Sequence, residues 1–202
     1  VNPVSALEEK ITKALARSQT ATSDFDLNPD TVLPEGRKLR PAGVLVGIET
    51  FGAAPQVVLT KRSSALKHHP GQIAFPGGKV DAGDRDVTDA ALREAWEEIA
   101  LPRELPKILG HLSSHETVTG FQVTPVVALI EQPFEARAEA GEVAEIFRAP
   151  LSHILDVERY QVQSRRWRGT RRYYFAVPFG PYYIWGATAR MLRGFAAMMD
   201  IR

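Results

Sequence analysis

The stretch AFPGGKVDAGDRDVTDAALREAWEEIAL, from Ala74 to Leu101, limits the fold of this 202-residue chain more than any other segment. Pro76-Gly77-Gly78 breaks a short apolar run, a loop rich in Asp and Gly follows, and helical periodicity then holds until Pro102. That order reads as a strand, a sharp turn and a helix. At about 100° per residue, Ala91, Leu92, Ala95, Trp96 and Ile99 fall within roughly 140° of arc. Glu94, Glu97 and Glu98 fall on roughly 100° of the opposite side. We therefore expect one face to be buried and the other to present a compact group of carboxylates.

Such crowding needs a reason. Like charges three or four residues apart on a helix repel by roughly 0.2–0.5 kcal/mol per pair. A solvated acidic face is the common outcome of a charge run. A rigid carboxylate cluster is also a platform for a hard divalent cation, since Mg²⁺ takes carboxylate oxygens and keeps several waters while bridging to phosphate. Arg93 is placed to orient one of the glutamates or its flanking loop through charge-assisted hydrogen bonds. Gly77 and Gly78 let the backbone turn and pass close to a ligand or to the helix.

Elsewhere the chain alternates between strand and helix signals. SALEEKITKALARS (Ser5–Ser18) spaces Leu7, Ile11, Ala14 and Leu15 as an amphipathic helix, with Ser5 as its expected N-cap. A polar stretch with Pro29 and Pro34 follows and reads as a linker or a wrapping arm. We thus expect residues 1–39 to form an N-terminal helix and arm, and residues 40–202 to form the folded domain. PAGVLVGIET and PQVVLTKR, joined by FGAA, read as paired strands, and GQIAFPGG as a short strand broken at its Pro-Gly-Gly. KILGHLSS and FQVTPVVALI are further strands, and EVAEIFRAPLSHIL is a strand or bridge leading into a short helix. RYQVQSRRWRGTRRYYFAV predicts a hairpin turning near Gly169, and WGATARMLRGFAAMMD a closing helix. The order implies a mixed β-sheet flanked by helices, α/β or α+β in class.

Charge narrows the partners. Lys and Arg number 25 against 24 Asp and Glu, so the net charge is +1, which argues against a nucleic-acid coat or a polybasic membrane anchor. The apolar run YYFAVPFGPYYIWGATARML is interrupted by two prolines and two glycines, which suits a core strand, turn and helix rather than a membrane span. The first residues, VNPVSALEEK, lack the basic start and apolar core of a secretory signal. The absence of cysteine excludes disulfides and thiolate chemistry and fits a reducing cytosol, so the expected location is cytoplasmic. Arg165, Arg166, Arg168, Arg171 and Arg172 surround Trp167, a mixture that nucleic-acid grooves use. In a near-neutral chain this reads first as a solvated hairpin and next as a contact to substrate phosphate or to a second copy. The arm and this hairpin are the two segments suited to a homodimer.

GGKVDAGDRDVTDAALREAWEEIAL resembles the Nudix box, G-x5-E-x7-R-E-U-x-E-E-x-G-U with U apolar. Gly78, Arg93, Glu94, Ala95, Glu97, Glu98 and Leu101 match it. Asp84 stands where the pattern has Glu, Arg93 comes one residue late, and Ala100 replaces the final Gly. Upstream, LTKRSSALKHHPGQIAFPGG resembles the motif of the coenzyme A pyrophosphatase branch, L-L-T-x-R-S-x-x-L-x-x-H-x-G-x-x-x-F-P-G-G. Leu59, Thr60, Arg62, Ser63, Leu66, His69, Gly71, Phe75, Pro76, Gly77 and Gly78 fit in register, with Val58 at the first position.

The resemblance implies a Nudix-like fold and hydrolysis of a diphosphate linkage in a small nucleoside diphosphate substrate. For that branch the products are 3′-phosphoadenosine 5′-phosphate and 4′-phosphopantetheine. It implies Mg²⁺ or Mn²⁺ held by Glu94, Glu97 and Glu98, with Glu98 also the candidate proton acceptor and Arg93 beside them. Glu142 is a further acidic candidate, as ligand, base or ordinary loop carboxylate; His115 and Glu116 are weaker ones. Arg62, Lys67 and His69 are candidates for substrate contact, together with Gly77 and Gly78. A Nudix enzyme acting on ADP-ribose, dinucleotides or nucleoside triphosphates, and a non-catalytic Nudix-like binding module, are the alternatives.

Overall fold

Two apolar segments lie side by side in the centre of the molecule, although about 80 residues separate them in the chain (121 − 40 = 81). In the computed structural model, which describes residues 2–17, 19–66, 69–167 and 169–200, they run parallel from Arg40↔Phe121 to Glu49↔Ile130. Lys67 and Arg168 lie outside the described residues. The elements in chain order are α1 (Pro3–Leu15), β1 (Thr22–Ser23), β2 (Arg40–Glu49), β3 (Gln56–Arg62), β4 (Ile73–Ala74), β5 (Gly77–Lys79) and α2 (Val87–Ile99). Then come β6 (Pro106–His111), β7 (His115–Glu116), β8 (Phe121–Ile130), β9 (Val143–Pro150), α3 (Leu151–Ile154), β10 (Gln161–Trp167), β11 (Thr170–Ala176) and α4 (Gly186–Asp200).

Among the described residues β1 to β9 form one mixed sheet, with β2 paired to β8, β3 and β5, and β3 paired to β9. Successive side chains of a strand face opposite sides, and the core divides accordingly. Leu45, Val58, Val126, Ala128 and Ile130 pack with Ala91, Ala95 and Ile99 of α2. Val46, Ile48, Val57, Leu59, Val127 and Leu129 pack with Ile11 of α1, Ile154 of α3 and Leu192 and Phe195 of α4. The expected mixed sheet flanked by helices is the observed architecture.

The helix that carries the glutamates sits unusually close to β2. A Cβ on Gly43 would lie 1.9 Å from the Val87 carbonyl oxygen, so only glycine lets the first turn of α2 rest on that strand. Asp86 caps this turn by accepting the Asp89 N–H at 2.9 Å. At the other end Ala100 adopts the left-handed conformation with φ 57°, and its N–H closes the helix onto Ala95 and Trp96. That is the position where the Nudix pattern has glycine. A non-glycine residue there costs about 1–2 kcal/mol. Ala100→Gly should therefore stabilise the fold by about 1 kcal/mol, less the entropy glycine adds to the unfolded chain. Denaturant melts check this, and a destabilised variant would show that the Ala100 side chain earns its place by packing.

Two expectations need correction. The first helix starts at Pro3 and is capped by Asn2, whose Oδ1 accepts the Val4 N–H at 3.0 Å. Ser5 sits inside the first turn, because Pro3 lacks an N–H and suits the opening helical position. Trp96, expected on the buried face, is 50% exposed. The contact with the sheet centres near Ala91 and Ala95, so Trp96 lies at the rim while Glu98, about 20° from Ala91 on the helical wheel, is carried inward.

The polar segment before β2 wraps the domain. β1 pairs in parallel with β7, and the fully buried His115 ring lies 2.9 Å from Thr22 Oγ1 and 3.0 Å from the Asp24 carboxylate. Asn28 exchanges two hydrogen bonds with the Tyr173 backbone in β11. His115 and its neighbour Glu116, which is paired with Arg37, thus fasten this segment to the sheet. No described helix is long and apolar enough to cross a membrane.

Candidate active site

Three carboxylates from two distant parts of the chain converge beside the end of β3. Glu94, Glu98 and Glu142 each offer an oxygen within 4.8 Å of the others. Glu94 and Glu98 come from successive turns of α2, and Glu142 from the loop that enters β9. That loop is held in place because the Ser63 N–H donates to the Glu142 carbonyl at 2.8 Å, while the Glu142 N–H donates to the Glu139 carboxylate at 2.9 Å.

Glu98 is only 4% exposed. One of its oxygens accepts the Gly77 N–H at 3.2 Å, so the glycine turn touches the carboxylate through its backbone. Burial raises the Glu98 pKa to about 8 against the opposing pull of the Gly77 N–H and the Arg62 charge, and the neighbouring Glu94 and Glu142 raise it further. Glu94 is also raised, first by burial, although Arg93 opposes this. A Cβ on Gly78 would stand 2.5 Å from Glu94 Oε1, so a side chain there would push this carboxylate out of its present position.

Arg93 ties the helix to the loop that precedes it. Its Nε and Nη2 both donate to the Asp84 carboxylate at 2.9 Å, Nη1 donates to Glu94 at 2.9 Å and to Glu97 at 3.2 Å, and Nη2 reaches the Lys79 carbonyl at 3.2 Å. The Asp84 side chain is 3% exposed and also accepts the Asp81 N–H at 2.8 Å. Arg93 holds its carboxyl below the usual range. Sequence reading pointed to Arg93 as an orienting group but missed Asp84 as its anchor. The signal was present in the spacing: one extra residue in the loop accompanies a shorter carboxylate at this place.

The structure does not bring Glu97 into the group of three. Its side chain is 54% exposed and lies against Arg93. Arg62 stands close enough to lower the Glu98 pKa, at a bulge where β3 slips register against β9 between Lys61 and Arg62. His69 has φ 53° in the loop after β3, where its carbonyl accepts the Gln72 N–H at 3.3 Å.

The NUDIX domain model matches residues 39–173, two-thirds of the chain (135 of 202). The chain belongs to the Nudix family. This Nudix hydrolase is 40% identical over 180 residues to the Nudix hydrolase NudL of Citrobacter koseri, covering 89% of this chain and 93% of the relative. It is 43% identical over 188 residues to NudL of an Enterobacter species, covering 88% and 97%. Among solved structures, the MutT protein of Methanosarcina mazei Go1 has a similar fold, with a TM-score of 0.52 at 19% identity over 83% of this chain and 96% of that one.

The donor set fits the divalent ion that Nudix hydrolases use. Three hard carboxylate donors are gathered at close range, and one of them is buried where its negative charge lacks solvation. This has a pH consequence for the protein without metal. From the ordinary carboxyl value of 4.5 up to about 8, the folded chain holds a proton on Glu98 that the unfolded chain has released. Stability contributed by this group is present at low pH and is lost as pH rises through that window, levelling off above it. Added Mg²⁺ should consequently raise the melting temperature more at pH near 8.5 than near 6. Melts with chelator and with Mg²⁺ across this range check it; an equal gain at both would remove the buried carboxyl from the account.

Proposed function

We propose that this Nudix hydrolase cleaves the diphosphate bond of coenzyme A or its derivatives, releasing 3′-phosphoadenosine 5′-phosphate and 4′-phosphopantetheine. The observation that carries this reading is where the upstream motif folds. Arg62 and Gly77 act on Glu98, Ser63 holds the Glu142 loop, and a side chain on Gly78 would collide with Glu94. Residues that resemble the coenzyme A branch thus frame the same carboxylates as the Nudix helix.

In this reading Glu94, Glu98 and Glu142 hold Mg²⁺ or Mn²⁺, with Glu97 at the exposed rim. The bound ion supplies charge neutralisation of the diphosphate and a lower barrier to attack by water. Arg93 fixes the position of Glu94 while its own position is set by Asp84. The Gly77 N–H fixes one oxygen of Glu98. Glu98 is also assigned as the group that accepts a proton from the attacking water, in the ionised form that a bound cation would favour. The water oxygen ends on one phosphorus and the bridging oxygen leaves with the other. Arg62 and His69 are assigned to substrate phosphate, and Gly77 and Gly78 to close backbone approach.

Incubation with coenzyme A and Mg²⁺ or Mn²⁺, with and without chelator, should give metal-dependent 3′-phosphoadenosine 5′-phosphate by mass. ADP-ribose and NADH run in parallel decide the substrate. Coenzyme A left intact while either of these is cleaved would overturn the assignment. Cleavage of none of them would favour a binding module.

A further inference from the structure

Beside the end of β3 that carries Arg62 lies a cleft of about 510 Å³, lined in part by Lys61, Gln72, Arg165, Tyr182, Tyr183 and Trp185. The residues proposed to carry out hydrolysis do not line it, but it is joined to them by backbone. Arg62 N–H donates to the Gln72 carbonyl at 2.9 Å, and Gly71 N–H donates to the Arg62 carbonyl at 3.1 Å. The cleft and the carboxylate group therefore share one end of β3.

Its charges are unbalanced. The Lys61 ammonium and the Arg165 guanidinium form no hydrogen bond or ion pair with another described residue. Glu145, directly across the ladder from Lys61, accepts the Tyr182 hydroxyl instead. The hairpin adds to the imbalance, because its register sets Arg165 opposite Arg172 and Arg166 opposite Arg171. Like charges directly opposite destabilise a sheet. Arg165 is nevertheless held at the cleft, its guanidinium 4.3 Å from the Trp185 ring centroid, and Arg172 stands 4.7 Å from that of Trp167. An anion between Lys61 and Arg165 would offset this repulsion.

The walls are aromatic. Tyr182 stacks on Phe147 with ring centroids 3.6 Å apart, which fixes its plane, and the Tyr183 hydroxyl lies 3.3 Å from that of Tyr174. Tyr183 is 45% exposed despite that tether, so its ring offers a held but open surface. Cations beside fixed aromatic rings make a site for a flat ring that carries a phosphate.

We infer that this cleft binds the adenosine end of the substrate, with a phosphomonoester between Lys61 and Arg165 and the base against Tyr182 and Tyr183. The inference rests on the coenzyme A reading, in which the ribose 3′-phosphate is that phosphomonoester and lies one ribose away from the diphosphate. Lys61 and Arg165 then set specificity, and the basic hairpin has a task in substrate choice.

The test compares coenzyme A with dephospho-coenzyme A, which differs only in lacking the 3′-phosphate. Wild-type protein should prefer coenzyme A in kcat/KM by at least about tenfold, mostly through KM. In Lys61→Gln/Arg165→Gln that ratio should fall to about one, with the melting temperature kept. Calorimetry with 3′-phosphoadenosine 5′-phosphate and 5′-AMP provides the separate arm. Wild type should bind the first at least about tenfold more tightly, and the double variant should bind both alike. An unchanged preference in the variant, or equal binding of the two nucleotides by wild type, overturns the inference. Failure to cleave either substrate overturns the coenzyme A reading, while the calorimetry still decides the cleft.

Discussion

Glu98→Gln should lower kcat by roughly 10²–10⁴-fold, the range for a lost acid–base group, while leaving the fold intact. Glutamine keeps the shape of the side chain, and its amide oxygen can still accept the Gly77 N–H that now reaches Glu98 at 3.2 Å. What it lacks is a charge to offer a cation and a site for the proton of water. Because the native carboxyl is raised to about 8, the metal-free wild-type protein is protonated there at neutral pH, and glutamine imitates that form. With chelator, the variant should thus melt near the wild-type temperature at pH near 4.5 and increasingly above it as pH rises toward 8. It should also lose most of the stabilisation that Mg²⁺ gives. Turnover assays and paired melts check both halves. A variant with full activity would remove Glu98 from the chemistry, and one that fails to fold would show that its position is set by packing alone.

Arg93→Met should cost about 3–5 kcal/mol of stability, the range for removing one partner of a buried ion pair. The reason lies mainly with Asp84, whose side chain is 3% exposed and takes two hydrogen bonds from this guanidinium. Methionine fills much of the volume but leaves that carboxylate buried without a counter-charge. Arg93→Lys should recover only part of the loss, since an ammonium cannot repeat the fork that spans Asp84, Glu94 and Glu97. Adding Asp84→Asn to Arg93→Met should cost much less than the sum of the two single changes, because the stranded charge is removed. Urea melts of the four proteins provide the cycle. Additive losses would mean that Arg93 and Asp84 act independently, contrary to their geometry. Activity should fall in the Arg93→Met protein as well, through the freed Glu94.

These two residues also show what could be read from the chain before its shape was known. Local rules were sufficient where structure is local: the 3.6-residue period of α2, the Gly-Gly turn before it, the hairpin at Gly169 and the apolar closing helix. They failed where a distant segment decides. Grouping the three glutamates into one arc set Glu98 on the polar side, yet it lies only about 20° from Ala91 on the wheel, and the sheet centred there takes it inward while leaving Trp96 at the rim. Glu142 could be suspected because its segment resembles a place where Nudix enzymes supply a further acidic group, yet only the docking of β9 on β3 brings it within 4.8 Å of Glu94 and Glu98. The cleft beside Lys61 combines residues from β3, β10 and the segment before α4, and no spacing rule links them.

The parallel pairing of β2 with β8 has a further consequence, for the time at which the site comes into being. Residues 40–49 cannot complete this ladder until residues 121–130 have been synthesised, and contacts so remote in sequence form slowly. Val126, Ala128 and Ile130 of the later strand complete the floor that Leu45 and Val58 begin under α2, so the glutamate-bearing helix is made before its packing surface is finished. Glu142 emerges later still. A nascent or truncated chain can carry the whole Nudix helix and still lack Glu142 and the strand that completes the floor, so on the proposed assignment cation affinity would be acquired late in synthesis.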